Sequence, residues 1–502
     1  MDIYERIEEN RTKIASIYDL AAICYDYLRM QIDNQALFLA EYIEYSEEAK
    51  LNNPNIRMLK RYSYEMMRLF LQKDSKYSVE EIVGETLRRI VSVREKLISY
   101  GTVICNEATI AYYLLQAVDL YAENKAAESS AAPLNENYME NSYIYRIHGE
   151  SMIKKAAVEL KFRDKIRTTE IRHNFKCIRI LEKAELDTGM SPPRLVTLHI
   201  DQYDQIRKSI IKSRKLKVAV IPFGREKVLV FEKVQGSSFR VQYIEQSKQT
   251  VLTKAINLLE KAIRQKANII IFPEYVCFPE MQERIGDYLA ETYRKAPDGM
   301  KSLFLVIAGS GWTEEDNNVA RIYSYSGKLL GEQYKYSPYD GYDEKGERWI
   351  EGLCNPGKES VIVDIPEIGS IMTAICRDVS NRDQTEKIAD IFEVDFLLVA
   401  AWSKSLHGGF EKQLENITEM NTMTSSLVCN SCAVVDESNW ERGIVVTPYK
   451  KESIIQAKTK IIKSKAEQCE KCAGCIFSIP LSYNTPNVEK GKIVGKITQC
   501  KL

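Results

Sequence analysis

Histidine is scarce in this chain: four residues in 502, against 70 Lys+Arg and 70 Asp+Glu. The scarcity narrows the choice of general base, because histidine is the usual partner of a nucleophilic serine or cysteine. His148, His173 and His199 lie before the α/β part of the sequence. His407, in the Gly-rich "SLHGGF", has no evident orienting residue, so a Cys–His pairing stays a weak reading. Net charge is missing too. Equal acid and base give a formal charge of zero, which removes any global pull toward nucleic acid or anionic membrane. No apolar run is long enough to span a bilayer; "LFLVIAG" (303–309) and "FLLVAAW" (396–402) are strand-sized. The opening "MDIYERIEEN" is acidic and has no apolar core of a secretory signal. Twelve cysteines without such a signal predict reduced thiols, not a disulfide framework, and a cytoplasmic location.

What is present is the composition of an ordinary globular protein, 45% apolar and 28% charged. At this length two or three domains are expected. The first part, 1–195, reads as an all-α domain. Ile14, Ile17, Ala21, Cys24 and Leu28 recur at three-four spacing, one face of a helix. "SVEE" (78–81) has the form of a capping box, Ser78 with Glu81, ahead of Val83, Leu87 and Ile90. "AAESSAAPLNENYMENS" (126–142) reads as a linker. Ile171, Phe175, Ile178 and Leu181 predict a further helix before Gly189 and "SPP" (191–193).

From about Lys215 the pattern changes to α/β, through 500. "KVAVIPF" (217–223) and "NIIIFPE" (268–274) read as strands around an amphipathic helix, "LTKAINLLEKAIRQKA" (252–267). "LFLVIAG", the hairpin-like "YSYSGKLLGEQY", "ESVIVDIP", "GSIMTAIC", "VDFLLVAA" and "LVCNSCAVV" follow as strands, which predicts a mixed sheet. The stretch "GREKVLVFEKVQGSSFRVQYIEQS" (224–247) reads as an inserted hairpin.

Three polar residues close apolar strands here, where side chains converge on a cleft. Glu274 ends "IIIFPE", Lys335 ends "LLGEQYK" and Cys376 ends "SIMTAIC". A thiol is a weak nucleophile until its proton is removed or its thiolate stabilised. A carboxylate supplies the base, and an ammonium steadies the thiolate and a later oxyanion.

"IIIFPEY", "YKYSP" and "AICRD", in that order, resemble the glutamate–lysine–cysteine signature of the nitrilase superfamily of carbon–nitrogen hydrolases. "GSGWTEEDNNVARIYSYSGKLLGEQYK", with Asn318 and Gly327, and "DFLLVAAW" after the cysteine add to the likeness, as does Glu351 in "WIEGLCNPGKE", at the place of the family's second glutamate. The likeness covers roughly 215 to 500. It departs at Arg377, where many relatives carry an aromatic, and at "DVSNRDQT", which lacks the proline–glutamate that often follows the cysteine. The resemblance implies an α-β-β-α sandwich and an amidase-type hydrolase cleaving an amide or nitrile through a thioester. Glu274 is then the base, Lys335 and the backbone at Arg377 the oxyanion donors, and Glu351 the residue that orients Lys335. Tyr275 and Trp402 are substrate-loop candidates. No cofactor is implied; a homo-oligomer is. Two alternatives stay open: acyl transfer by the same residues, or a non-hydrolytic interaction or effector subunit of a bacterial defence-type assembly, with a protein partner on the first domain.

Other cysteines invite a zinc reading. "CEKCAGC" (Cys469, Cys472, Cys475) has loop-like spacing that suits metal, whereas Cys429 and Cys432 sit three apart in a strand-like run and face opposite ways. Unbound thiols are the expectation. The basic stretches 207–217 and 449–465 lack interleaved aromatics, so a solvated face is expected, not a nucleic-acid contact.

Overall fold

The computed structural model describes residues 2–30, 54–73, 76–99, 106–125, 134, 141–148, 171–186, 189–199, 215–224, 227–343, 345–419, 424–433, 441–451, 454–463, 475–480 and 498–501. The chain divides into two compact units, Met1–Glu150 with Val158–Leu186, and Ser151–Ala157 with Asp187–Leu502.

The first unit contains helices α1 (Ile3–Glu9), α2 (Ile17–Met30), α3 (Pro54–Phe70), α4 (Val79–Ser99) and α5 (Asn106–Asn124). Ile17, Ala21, Cys24 and Leu28 are all buried on α2. The Ser78 N–H donates to Glu81 Oε2 at 2.7 Å and the Glu81 N–H to Ser78 Oγ at 3.3 Å, so the reciprocal cap forms. The unit is not all-α, however. β1 (Ser142–Arg146) pairs antiparallel with β2 (Ile178–Glu182), where the sequence predicts a helix. Buried Asp119, on α5, accounts for this by accepting the N–H groups of Lys176, Cys177 and Ile178 at 2.6–2.9 Å. Three donors engaged by one carboxylate are withdrawn from a helix. The boundary moves as well. β3 (Arg194–Thr197) belongs to the second unit, not to the first as 1–195 implies. The 126–142 linker lies almost wholly outside the described residues.

The second unit runs through β4 (Lys215–Val220), a hairpin of β5 (Leu229–Gln235) and β6 (Ser238–Tyr243), helix α6 (Glu245–Arg264), β7 (Ile269–Ile271) and helix α7 (Pro279–Lys295). β8 (Leu305–Trp312), β9 (Asn318–Ser324), β10 (Leu329–Tyr334), β11 (Asp340–Tyr342), β12 (Arg348–Glu351), β13 (Val361–Ile365) and β14 (Gly369–Ile375) follow. Then come β15 (Phe396–Ala401), β16 (Ser425–Asn430), β17 (Glu441–Lys451), β18 (Ile454–Lys463), β19 (Cys475–Pro480) and β20 (Thr498–Lys501). One seven-stranded sheet has the order β10-β9-β8-β7-β4-β19-β20, and another β18-β17-β16-β15-β14-β13-β3. A small sheet, β11-β12-β6-β5, joins the inserted hairpin to the strand that carries Glu351.

Strands β7, β8, β14 and β15 are buried along their whole length, as strands covered on both faces must be. Their side chains share one apolar core, with Val218, Ile270 and Ile307 from the first large sheet and Val363, Ile371 and Leu398 from the second. Val251, Leu258, Ile285 and Leu289, from α6 and α7, complete it. No helix among the described residues is long and apolar enough to cross a membrane.

Candidate active site

Four chain segments deliver the polar residues to one place, and each does so at a strand end. Glu274 lies three residues past β7, Lys335 directly after β10, Glu351 at the last position of β12 and Cys376 directly after β14. The Gly357 N–H donates to the Lys335 carbonyl at 2.8 Å. A Cβ on Gly357 would stand 2.3 Å from the Tyr334 carbonyl oxygen, so only glycine permits this approach to the lysine strand.

Lys335, 2% exposed, bridges two carboxylates. Its Nζ stands 2.8 Å from Glu274 Oε1 and 2.6 Å from Glu351 Oε2. Asn318 Nδ2 donates to Glu274 Oε1 at 2.9 Å and to Glu351 Oε1 at 3.0 Å. The two glutamates then differ in one respect. Glu351 is saturated, because Tyr275 Oη donates to Oε1 at 2.7 Å and the Tyr339 N–H to Oε2 at 2.9 Å, in addition to Asn318 and Lys335. Glu274, fully buried, has no oxygen or nitrogen donor at Oε2, and its side chain shares a hydrogen-bond interaction with the Cys376 thiol. A buried acceptor without such a donor costs about 1–3 kcal/mol, and it is the atom available to receive a proton.

Cys376 is 7% exposed, and its S–H points at the Trp402 carbonyl oxygen, 3.8 Å away. Its φ of +47° places a non-glycine residue in the left-handed region, a strained conformation that persists only where surroundings enforce it. Burial pushes the thiol pKa up, and the Glu274 charge pushes it further, against the pull of Lys335. Burial also raises Glu274, with the Lys335 charge lowering it and Glu351 raising it. For Lys335, burial works against the ammonium, but the two glutamates outweigh it and raise its pKa. At rest the cysteine is therefore a thiol and the lysine firmly charged.

The enforcing residue is Asp378, the last of "AICRD", to which the sequence assigns no role of its own. It is wholly buried, and Oδ1 accepts from the N–H groups of Tyr336 (3.1 Å) and Ser337 (2.8 Å), while Oδ2 accepts from Ile375 N–H at 3.1 Å. It thereby ties the cysteine turn to the chain just past Lys335. Burial pushes this carboxyl up to about 8, against Lys335 and the three N–H donors. Asparagine would turn an N–H₂ toward one of those donors, so Asp378→Asn should cost about 1–3 kcal/mol in urea unfolding. The pH dependence has a definite sign. An acid at about 8 when folded and about 3.9 when unfolded takes up a proton on folding between those values. Its contribution is thus full below pH ~4 and lost as pH rises toward 8. The wild-type advantage over Asp378→Asn should shrink across that window.

The remaining sequence candidates fall as follows. Tyr275, at φ +62°, lies under Lys335, whose Nζ is 5.5 Å from its ring centroid. Trp402 offers its carbonyl to the thiol and its ring to Tyr275, with centroids 5.8 Å apart. The Arg377 side chain is exposed and donates to the Asp340 carbonyl at 2.6 Å. His407 Nδ1 pairs with Glu411 Oε2 at 2.6 Å and is exposed. Cys432 Sγ contacts the Pro222 carbonyl, and Cys429 is buried. Cys469, Cys472 and the side chain of Cys475 lie outside the described residues. Among the described ones, no group of three or more His, Cys, Asp or Glu is arranged to hold a metal.

No family model matches this chain, and no curated protein matches it. Among solved structures it is similar to an amidase from Nesterenkonia sp., at 12% identity over 50% of this chain and 92% of that one, with a TM-score of 0.32. It is also similar to Nit3 of Saccharomyces cerevisiae, a member of branch 10 of the nitrilase superfamily (13% identity, 51% and 92% covered, TM-score 0.31). A third is a variant of the Nesterenkonia sp. AN1 amidase with the acetamide moiety of fluoroacetamide added covalently at its active-site cysteine (10% identity, 51% and 95% covered, TM-score 0.32). At such TM-scores these likenesses add no weight to the site, which stands on its own distances.

Proposed function

We propose that the second unit, with the α-β-β-α layering that the resemblance implies, is a carbon–nitrogen hydrolase acting on amides through a cysteine thioester. The observation that carries this is the asymmetry of the two glutamates around Lys335. One carboxylate is saturated by four donors, and the other keeps an open oxygen beside a strained thiol. A structural ion pair has no use for that open oxygen, whereas a general base requires it.

The chemistry follows from the protonation states. Sγ attacks the amide carbon while its proton passes to Glu274, since burial leaves the free thiolate unfavourable. Charge developing on the carbonyl oxygen meets the Lys335 ammonium. It also meets the Arg377 N–H, the second of the turn that opens at Cys376, where first-turn N–H groups have no intrahelical partner. The carbon–nitrogen bond breaks as Glu274 gives its proton to the departing nitrogen, leaving the acyl group on sulfur. Water then adds with Glu274 again as base, the carbon–sulfur bond breaks, the proton returns to sulfur and a carboxylic acid leaves. Glu351 and Asn318 hold Lys335 and Glu274 in register throughout.

The test is intact-protein mass spectrometry after rapid quenching with a panel of small amides. The expected result is one acyl adduct per chain, lost on treatment with hydroxylamine and absent from Cys376→Ala. An adduct elsewhere, or none with any amide that yields ammonia, would overturn the thioester route.

A further inference from the structure

The inserted hairpin packs against Tyr275 and Trp402, two aromatic residues of the site. Its residues alternate faces: Val230 and Val234 are exposed, while Leu229, Phe231, Phe239, Val241 and Tyr243 turn inward. The hairpin is fastened to the site at two points. Strand β6 pairs in parallel with β12, Glu351 opposite Phe239, and the Gly352 N–H donates to the Phe239 carbonyl at 2.9 Å. Tyr243 Oη donates to the Tyr275 carbonyl at 2.8 Å and accepts the Trp312 N–H at 2.7 Å. The hairpin therefore shares the rigidity of the residues that carry the charge network.

On that frame Phe231 meets two rings of the site edge-on. Its centroid is 5.6 Å from Tyr275 and 5.5 Å from Trp402, both at 80°. Behind it Phe239 closes at 5.3 Å and 88°. Rings this close leave no hollow between them, so the cluster is a wall and not a cage for a cation. Tyr275 is closed over at 3% exposure, whereas Phe231 and Trp402 are only half-buried. The open part of the wall is thus flat and apolar, and Trp402, which contributes to it, sets its carbonyl oxygen 3.8 Å from the sulfur.

We infer that this hairpin makes the enzyme selective for amides that carry a flat apolar ring, and that Phe231 is the residue that sets the preference. The inference rests on the hydrolase reading above. Primary amides release only ammonia, so in the test below any contact with the wall comes from the acyl side. A ring laid against Phe231 and Trp402 gains edge and face contacts that a short alkyl chain cannot make.

The experiment measures ammonia release from phenylacetamide and from propionamide by wild type, Phe231→Ala and Phe231→Leu, with Cys376→Ala as the blank. Phe231→Leu keeps an apolar side chain and removes only the flat face, so it decides the matter should the alanine variant fold poorly. Wild type should favour phenylacetamide at least about tenfold in kcat/KM, and both variants should lower that ratio by about tenfold, chiefly through KM. A wild-type preference for propionamide, or a ratio unmoved in Phe231→Leu, would overturn the inference while leaving the hydrolase standing. Neither ammonia nor an acyl adduct from either amide would remove the hydrolase reading and this inference with it.

Discussion

Replacing Cys376 with alanine or with glycine is expected to lower amide hydrolysis by a factor on the order of 10⁴–10⁶, and the glycine variant should be the more stable of the two. The loss of rate follows from the nucleophilic role proposed for the sulfur. The order of stability follows from the backbone. Cys376 sits at φ +47°, where a Cβ crowds the carbonyl and costs about 1–2 kcal/mol. Glycine escapes that cost but gives back roughly 0.5–1 kcal/mol in flexibility of the unfolded chain, which leaves a net gain of the order of half to one kcal/mol over alanine. Strain of this kind is worth keeping only where it aims a reactive atom. The turn is held by more than Asp378 Oδ2 on the Ile375 N–H, because Thr385 Oγ1 also donates to the Asp378 carbonyl at 2.5 Å. Ammonia assays and urea titration of the two variants separate the claims. Residual turnover near the wild-type rate would dismiss the nucleophile, and an alanine variant as stable as the glycine one would dismiss the strain.

The same turn shows which parts of the site can be read along a chain. Glu274, Lys335 and Cys376 stand out because each is a polar residue that ends an apolar strand, and strand-sized apolar runs are the plainest pattern in this sequence. Glu351 is visible only through its place before Pro356 and Gly357. Asp378 is not visible at all as an enforcer. Its partners are backbone N–H groups at Tyr336 and Ser337, some 41 residues away, and side-chain identity does not encode them. Phe231 hides differently. An aromatic in an alternating hairpin looks like ordinary strand propensity, and only the packing of β6 on β12 brings it to the site. The helical unit holds the clearest misreading. Ile178 and Leu181 fit a helical spacing, yet Asp119 captures the N–H groups that a helix there would need, and the segment becomes a strand. Local periodicity lost to a long-range hydrogen-bond acceptor.

Glu274→Gln should lower kcat/KM by about 10²–10⁴ in a protein that still folds. The amide oxygen can accept from Asn318 and Lys335 as Oε1 does now, and Lys335 keeps its 2.6 Å partner in Glu351, so no buried charge is stranded. Lys335→Met is the contrast. It leaves two buried carboxylates with no cation between them, a situation that costs roughly 3–5 kcal/mol. Burial raises Glu274 above the ordinary ~4.3, and the lysine charge that opposes this is lost in the variant. Glu274 therefore takes up a proton on folding, and part of the variant's lost stability should be recovered on acidification and disappear again as pH rises. Wild type provides the kinetic counterpart. Burial holds Glu274 above the usual carboxylate range, and only its ionised form can take the thiol proton, so kcat/KM should fall on the acid side at a pH higher than an exposed glutamate would give. That limb belongs to the open oxygen, because Glu351 has no vacant lone pair directed at the sulfur. Glu274→Gln should therefore flatten it, and an unchanged acid limb in that variant would assign the base to another group.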